Sequence, residues 1–160
     1  MAKTSLMAME IERKFLVRED FHKETVRAYR IIQGYISSDG GRTVRVRLRD
    51  KQGFLTIKGP SLDGGVSRFE WEKEISEDDA MQLLQLCEVK IDKTRYLVPF
   101  AGHTFEVDEF YGDNRGLVVA EIELKSPDEP FEKPYWLGEE VTGDKKYYNA
   151  HLCKHPYKDW

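Results

Sequence analysis

The sequence has few cysteines, no long apolar run and no excess of basic residues. Cys87 and Cys153 are the only cysteines, and they are too few and too isolated for a disulfide framework or a metal-spaced cluster. We therefore expect a reduced, cytoplasmic setting. No stretch approaches the ~18 apolar residues of a membrane span, and residues 1–9 lack the apolar core of a signal peptide. We expect no membrane association.

The charge balance argues against one further class of partner. The chain has 25 Lys and Arg against 29 Asp and Glu, for a formal net charge of −4, whereas general nucleic-acid binding needs a basic surface. Nucleic acid is therefore not an expected partner, and any polyanion must be bound by a local cationic site. The 160 residues predict one domain with a real core, and residues 1–8 are expected to be a disordered leader.

Strand-like segments dominate the chain, and turn signals fall between most of them. We predict eight strands, at about 9–17, 30–37, 42–50, 53–59, 66–75, 93–100, 103–111 and 117–125. Short connections such as Asp39-Gly40-Gly41 indicate antiparallel neighbours. Helices are predicted at 20–28, after an N-cap at Ser76 with Met81, Leu84 and Cys87 on one stripe, and from Asp144 through Cys153. This pattern predicts an α+β protein built on a β-barrel or strongly curled sheet with a few covering helices.

The charged residues of these strands are sorted by sign. Alternate side chains of a strand share a face, so Glu10, Glu12 and Lys14 lie together on the first strand. The other sorted faces carry Arg45, Arg47 and Arg49; Lys58; Glu70, Glu72 and Glu74; Lys93 and Arg95; Glu106 and Asp108; and Glu121 and Glu123. Each face alone could be solvated exterior. The sorting, together with apolar opposite faces that helices could cover, favours charged faces that point into the barrel.

A charged barrel interior cannot be dry. Burying an unpaired ion costs several kcal/mol, and a dozen would exceed the ~5–15 kcal/mol that stabilises a domain. The interior is therefore expected to be a water-filled tunnel whose opposite charges compensate one another or bind a charged ligand and a metal. Paired carboxylates suit Mg²⁺ or Mn²⁺, and convergent Arg and Lys suit phosphate oxygens. Together they indicate phosphoryl or nucleotidyl chemistry.

The element Glu10-Ile11-Glu12-Arg13-Lys14 resembles the ExExK signature of the CYTH superfamily, the triphosphate tunnel metalloenzymes. The resemblance covers nearly the whole chain. It continues through Arg45-x-Arg47, Thr56-Ile57-Lys58-Gly59, Glu70-x-Glu72, Lys93-x-Arg95, residues 106–110, residues 120–124 and the closing segment 141–149. It implies a single domain over 1–160 that folds as an eight-stranded antiparallel closed β-barrel, whose tunnel binds a triphosphate group.

The resemblance also implies roles for the sorted charges. Triphosphate binding would fall to Lys14, Arg45, Arg47, Lys58, Lys93 and Arg95. Metal binding would fall to Glu10, Glu12, Glu70, Glu72, Glu121 and Glu123, with Glu106 and Asp108 as further acids on that side. Catalysis would fall to Lys14, Lys93 and Glu123. By contrast, Arg13, Arg49 and Glu74 are expected in solvent or at the rim, and Tyr147, Tyr148 and His151 are expected to pack in the C-terminal helix.

The activity implied by the resemblance is metal-dependent hydrolysis of tripolyphosphate to pyrophosphate and phosphate, with Mg²⁺ or Mn²⁺ as cofactor. A class IV adenylate cyclase, which converts ATP to cyclic AMP and pyrophosphate, and a thiamine triphosphatase stay open as alternatives within the family. A non-catalytic polyphosphate or nucleotide sensor is the alternative of a different class. The expected partner is a small-molecule triphosphate, and a homodimer is a possible assembly.

Overall fold

Eight antiparallel strands close into a barrel in the computed structural model, which describes residues 8–160. The strands are β1 Ala8–Val17, β2 Arg27–Ser37, β3 Thr43–Arg49, β4 Gln52–Leu62, β5 Ser67–Ile75, β6 Lys90–Phe100, β7 His103–Phe110 and β8 Val118–Glu123. Their order around the barrel is β1-β5-β4-β3-β2-β6-β7-β8, and β8 returns to β1. The prediction of a closed eight-stranded antiparallel barrel is confirmed.

A ninth strand, β9 Leu137–Glu140, was not predicted. It pairs with β1 at Phe15 and Val17, whereas β5 pairs with β1 over Ala8–Ile11. The short β9 therefore pairs with a part of β1 that β5 does not reach. The predicted leader falls on residues 1–7, which lie outside the described residues, and on Ala8, which begins β1.

The first covering helix begins as predicted. Helix α1 spans Glu77–Leu84, and the Ser76 side chain accepts a hydrogen bond from the Asp79 N–H. Its predicted apolar stripe is wrong at Met81, which is 50% exposed. The helix instead packs Ala80 and Leu84 against Val46 of β3.

The other two helix predictions need correction. Residues 20–28 form only a 3-10 turn, His22–Glu24, because the chain enters β2 at Arg27 and gains backbone pairing to β6. The predicted C-terminal helix is divided into a 3-10 turn, Lys145–Tyr147, and a helix α2, Asn149–Lys154. Tyr148 is extended between them, with ψ 136°. Asp144 still caps, but it caps the 3-10 turn.

The largest apolar core lies outside the barrel wall. Phe15, Phe105 and Ile122 point outward from β1, β7 and β8 and pack with Phe21 and Trp136. These covering residues remove the apolar faces of the strands from water, so the opposite faces are free to line the interior. Within residues 8–160, no helix has the length and hydropathy needed to cross a membrane.

Candidate active site

The barrel encloses a cavity of about 540 Å³ whose wall is mostly charged. The cavity wall brings together every predicted site residue except Asp108: Glu10, Glu12, Lys14, Arg45, Arg47, Lys58, Glu70, Glu72, Lys93, Arg95, Glu106, Glu121 and Glu123. The strand register sets their neighbours. Glu12 lies opposite Glu123 and Lys14 lies opposite Glu121 where β1 meets β8. The charged faces therefore point inward, as the sorting of signs indicates.

Four of the six cations predicted to bind triphosphate form an ion pair with a carboxylate of the cavity wall: Lys14, Arg47, Lys58 and Arg95. Lys58 Nζ lies 2.9 Å from Glu10 Oε2 and 3.6 Å from Glu70 Oε2. Lys14 pairs with Glu121 at 3.2 Å. These ion pairs help one small barrel to tolerate its ionised groups, because a paired charge costs less to bury than an isolated one.

Asp108 lies behind the cavity wall and holds two of the cations. It is 2% exposed, and it accepts hydrogen bonds from Lys93 Nζ at 2.7 Å and from Arg95 Nε at 2.8 Å. Burial raises the pKa of Asp108, but Arg95 and Lys93 outweigh it and leave the pKa lowered. Burial lowers the pKa of Lys93 to about 8, although Asp108 opposes this shift. The geometry gives Asp108 a role in positioning Lys93 and Arg95, and its predicted role as a metal ligand gains no support from it.

Arg45 and Arg47 on the cavity wall each have a hydrogen-bond donor without an acceptor. Arg45 donates through Nη2 to Thr56 Oγ1 at 3.2 Å, and Arg47 donates to Glu72 at 3.3 Å. The Nε atoms of both arginines are buried and have no hydrogen-bond partner. Because buried donors are normally satisfied, these N–H groups fit an anion that enters the cavity.

The carboxylates form the opposite half of the site, around Glu12. Burial and the nearby Glu121 and Glu10 carboxylates raise the pKa of Glu12 well above its usual value. Burial, followed by Glu10 and Glu106, also raises the pKa of Glu123. Like charges gathered in this way destabilise one another unless a proton or a cation intervenes.

The donor set fits a hard divalent cation. No three His, Cys, Asp or Glu side chains within residues 8–160 are already arranged as metal ligands, and lysines pair with Glu10 and Glu121. A group of carboxylate oxygens is nevertheless the donor chemistry that Mg²⁺ or Mn²⁺ prefers.

The structure adds residues to the cavity that the sequence did not assign. Tyr35 lines the wall, but it lies on a strand face with little charge, so charge sorting could not reveal it. Asn149 of α2 accepts a hydrogen bond from Lys93 Nζ at 3.0 Å. Tyr148 lines the cavity instead of only packing, and its ring centre lies 5.2 Å from Lys14 Nζ.

The three residues predicted to face solvent or the rim do not share one environment in the structure. Arg13 lies outside the barrel and forms an ion pair with Glu140 at 2.6 Å, as expected. Glu74 is exposed. Arg49 lines the cavity and is only partly exposed. Its place on the wall continues the period-two series of Arg45 and Arg47, which was the signal for it in the sequence.

Comparison with known proteins agrees with this geometry. The CYTH domain family matches residues 8–150. The chain is 48% identical over 156 residues to an inorganic triphosphatase of Acetivibrio thermocellus, covering 96% of this chain and 99% of that protein. It is 38% identical over 150 residues to an inorganic triphosphatase of Nitrosomonas europaea, covering 90% and 96%.

A solved structure shows the same architecture. The crystal structure of the inorganic triphosphatase NE1496 superposes with a TM-score of 0.66 at 34% identity, covering 90% of this chain and 97% of that one. The family match spans most of the chain, the relatives align almost end to end, and the barrel and its sorted charges agree with both. This chain therefore belongs to the CYTH domain family.

Proposed function

We propose that this protein is an inorganic triphosphatase that hydrolyses tripolyphosphate to pyrophosphate and phosphate. One observation carries the proposal: a row of cations and a group of carboxylates face each other across a single cavity of about 540 Å³. The full-length similarity to two inorganic triphosphatases supports it. A polyanion and a divalent cation would each find a complementary half of the wall.

The cationic half would hold the substrate. Its members are Lys14, Arg45, Arg47, Lys58, Lys93 and Arg95. Phosphate oxygens would accept hydrogen bonds from the free Nε atoms of Arg45 and Arg47, and they would compete for Lys58, which now pairs with Glu10. Asp108 and Asn149 fix the ammonium of Lys93 from two sides, so this cation is oriented before substrate enters.

The acidic half would hold the metal. Its proposed members are Glu10, Glu12, Glu70, Glu72, Glu121 and Glu123, and the proposed ion is Mg²⁺ or Mn²⁺. When bound, such an ion polarises phosphoryl oxygens and an attacking water. Lys14, Lys93 and Glu123 remain the proposed catalytic residues. The two lysines would stabilise negative charge on the phosphoryl oxygens, and Glu123 would complete the acidic end of the wall.

The test is a substrate panel with product separation. Tripolyphosphate, ATP and thiamine triphosphate are each incubated with the protein and Mg²⁺ or Mn²⁺. We expect tripolyphosphate to give pyrophosphate and phosphate most efficiently. Cyclic AMP as the main product of ATP would favour the cyclase, preferential cleavage of thiamine triphosphate would favour the thiamine triphosphatase, and binding without turnover would favour the sensor.

A variant of the cavity wall and a matched control outside the barrel test whether the activity resides in the tunnel. Glu123→Gln removes one charge from the acidic wall and should abolish most turnover. Glu140→Gln is the matched control, because Glu140 pairs with Arg13 outside the barrel, and this variant should retain turnover. Equal activity of the two variants at saturating Mg²⁺ and Mn²⁺ would contradict the assignment of Glu123.

We also propose a cytoplasmic location for the protein, and its oligomeric state can be measured. Cys87 and Cys153 are free thiols, which agrees with the reducing cytoplasm. The sequence left a homodimer open, and sedimentation-velocity analysis across a range of protein concentrations would measure whether one forms.

A further inference from the structure

The far end of the cavity, where β3 ends, holds a cation outside the set assigned to the triphosphate. Arg49 is the last residue of β3, and it lines the cavity. The opposite end is bounded by the Ser38–Gly41 turn and by α2. Arg49 lies four positions after Arg45 in the same strand, so their Cα atoms lie about 13 Å apart at ~3.3 Å per residue. The arginine row therefore runs from the middle of the tunnel to its far end.

The Arg49 guanidinium is not neutralised by the protein. Its Nη2 donates to Gln52 Oε1 at 3.0 Å, and its Nε is buried with no hydrogen-bond partner. In the described part of the chain, no carboxylate forms an ion pair with Arg49, whereas Arg47 pairs with one carboxylate and Lys58 with two. A charged group at a cavity wall with an unsatisfied donor is complementary to an anion.

Two aromatic rings fix the direction of this guanidinium. Its central carbon lies 4.8 Å from the ring centre of Tyr29 and 5.0 Å from that of Phe54. Arg27 lies on Tyr29 at 4.9 Å, and Arg47 lies on Phe54 at 5.3 Å. Arginines and aromatic rings thus alternate from the cavity to the outer surface. Contact with ring faces orients a guanidinium without using its N–H donors.

We propose that Arg49 forms an anion subsite at the far end of the tunnel, which takes a phosphoryl group. The occupant is either the terminal phosphoryl group of bound tripolyphosphate or the orthophosphate that leaves after cleavage. Both present the same oxygens to the guanidinium fork. The identity of these two occupants rests on the proposed function.

The test compares Arg49→Gln with a matched control, Arg27→Gln. Both changes remove one arginine charge next to Tyr29, but Arg27 is exposed and does not line the cavity. Calorimetry gives the Kd of tripolyphosphate and of orthophosphate with metal chelated, so that no turnover intervenes. Steady-state assays give KM and the inhibition constant of orthophosphate. Arg49→Lys, which keeps the charge but loses the planar fork, is measured in parallel.

A subsite for the end of the substrate predicts that Arg49→Gln raises the Kd and KM of tripolyphosphate about tenfold or more, the loss expected for one charged hydrogen bond. A subsite for the product predicts a similar rise in the orthophosphate Kd and inhibition constant, with the KM of tripolyphosphate unchanged. Arg49→Lys should fall between Arg49→Gln and wild type, and Arg27→Gln should stay within about twofold of wild type.

Wild-type values for both anions in Arg49→Gln would overturn the subsite, and so would equal effects of Arg49→Gln and Arg27→Gln. If Arg49→Gln does not fold, Arg49→Lys decides, because loss of the fork alone should still weaken anion binding. A wild-type protein that binds tripolyphosphate but does not cleave it would contradict the proposed function. The comparison of Kd values would still test the subsite in that case.

Discussion

At the scale of single residues, the tunnel depends on ionisable side chains whose pKa values are set by their neighbours. Glu12 and Glu140 show the two signs of this effect. Burial, Glu121 and Glu10 raise the pKa of Glu12, whereas a hydrogen bond from Arg13 lowers the pKa of Glu140. The two carboxylates therefore affect stability in opposite directions at neutral pH.

The linkage between pKa and stability makes this difference testable. A carboxyl group whose pKa is raised by folding stabilises the protein at pH values below its unfolded-state pKa. This contribution is lost as the pH rises through the pKa that the group has in the folded state. Ionisation of Glu12 as the pH rises thus destabilises the metal-free barrel. Glu12→Gln should raise the Tm of the metal-free protein at pH 7, by roughly 2–4 °C for each kcal/mol gained, while turnover is lost.

The control is Glu140→Gln, measured by the same thermal unfolding with metal chelated. Folding lowers the pKa of Glu140. The ionised group therefore stabilises the protein at pH values above its unfolded-state pKa, and this contribution is lost only in acid. Glu140→Gln should therefore lower the Tm at pH 7. Added Mg²⁺ or Mn²⁺ should raise the Tm of wild type more than that of Glu12→Gln. If the metal-free Tm of Glu12→Gln at pH 7 is lower than that of wild type, the prediction that ionised Glu12 destabilises the metal-free barrel is wrong.

At the scale of elements, α1 covers the outer faces of β3 and β4 while their inner faces carry Arg45 and Lys58. The fit depends on Gly53 of β4. A Cβ added there would lie 2.7 Å from Ala80 Cβ and 2.8 Å from the Ser76 carbonyl oxygen. Both contacts are shorter than van der Waals distance, so any larger residue must displace the helix.

Gly53→Ala should therefore destabilise the protein by about 1–3 kcal/mol, the usual cost of overpacking, and lower the Tm by several degrees. Below its Tm, the variant should keep the wild-type KM for tripolyphosphate, because the change is on the outer side of the wall. Thermal unfolding and steady-state kinetics measure the two quantities. Lys51→Ala, in the exposed turn before β4, is the control and should change neither. A raised KM in Gly53→Ala would mean that α1 also positions the wall cations.

At the scale of the whole molecule, the length of the cationic row should select the length of the substrate. Six cations from four strands line more surface than one phosphate can contact. Pyrophosphate would leave several of them unpaired, and charged hydrogen bonds are worth roughly 1.5–3 kcal/mol each. Losing two such bonds should lower kcat/KM about a hundredfold or more.

Phosphate release at equal metal and substrate concentrations measures this selection. Tripolyphosphate should be cleaved well, pyrophosphate poorly, and a monoester such as p-nitrophenyl phosphate most slowly. If pyrophosphate is turned over as efficiently as tripolyphosphate, the interpretation of the basic row as a triphosphate tunnel is wrong.

Much of the candidate site could be predicted because a pleated strand leaves few choices. Once Arg45 and Arg47 share a face, the whole face must point either inward or outward, and the apolar residues behind it select inward. Residues without a sorted partner gave no such signal. Asn149 reaches Lys93 across 56 positions of sequence, and β9 depends on the part of the β1 edge that β5 leaves free. The helix predicted at 20–28 failed because pairing with β6 outweighed local helical pattern.

The sequence by itself determined the fold class, the strand faces and the two opposed sets of charges, because all three follow from side-chain alternation and turn chemistry. Only the tertiary structure decided which carboxylate each cation meets. Closure of the barrel places β1 beside β5, so Glu10 pairs with Lys58 although 48 positions separate them. It also decided that Asp108 lies behind the wall and that Arg49 lies against Tyr29 and Phe54. These contacts depend on strand order and register around the closed barrel, which no local pattern encodes.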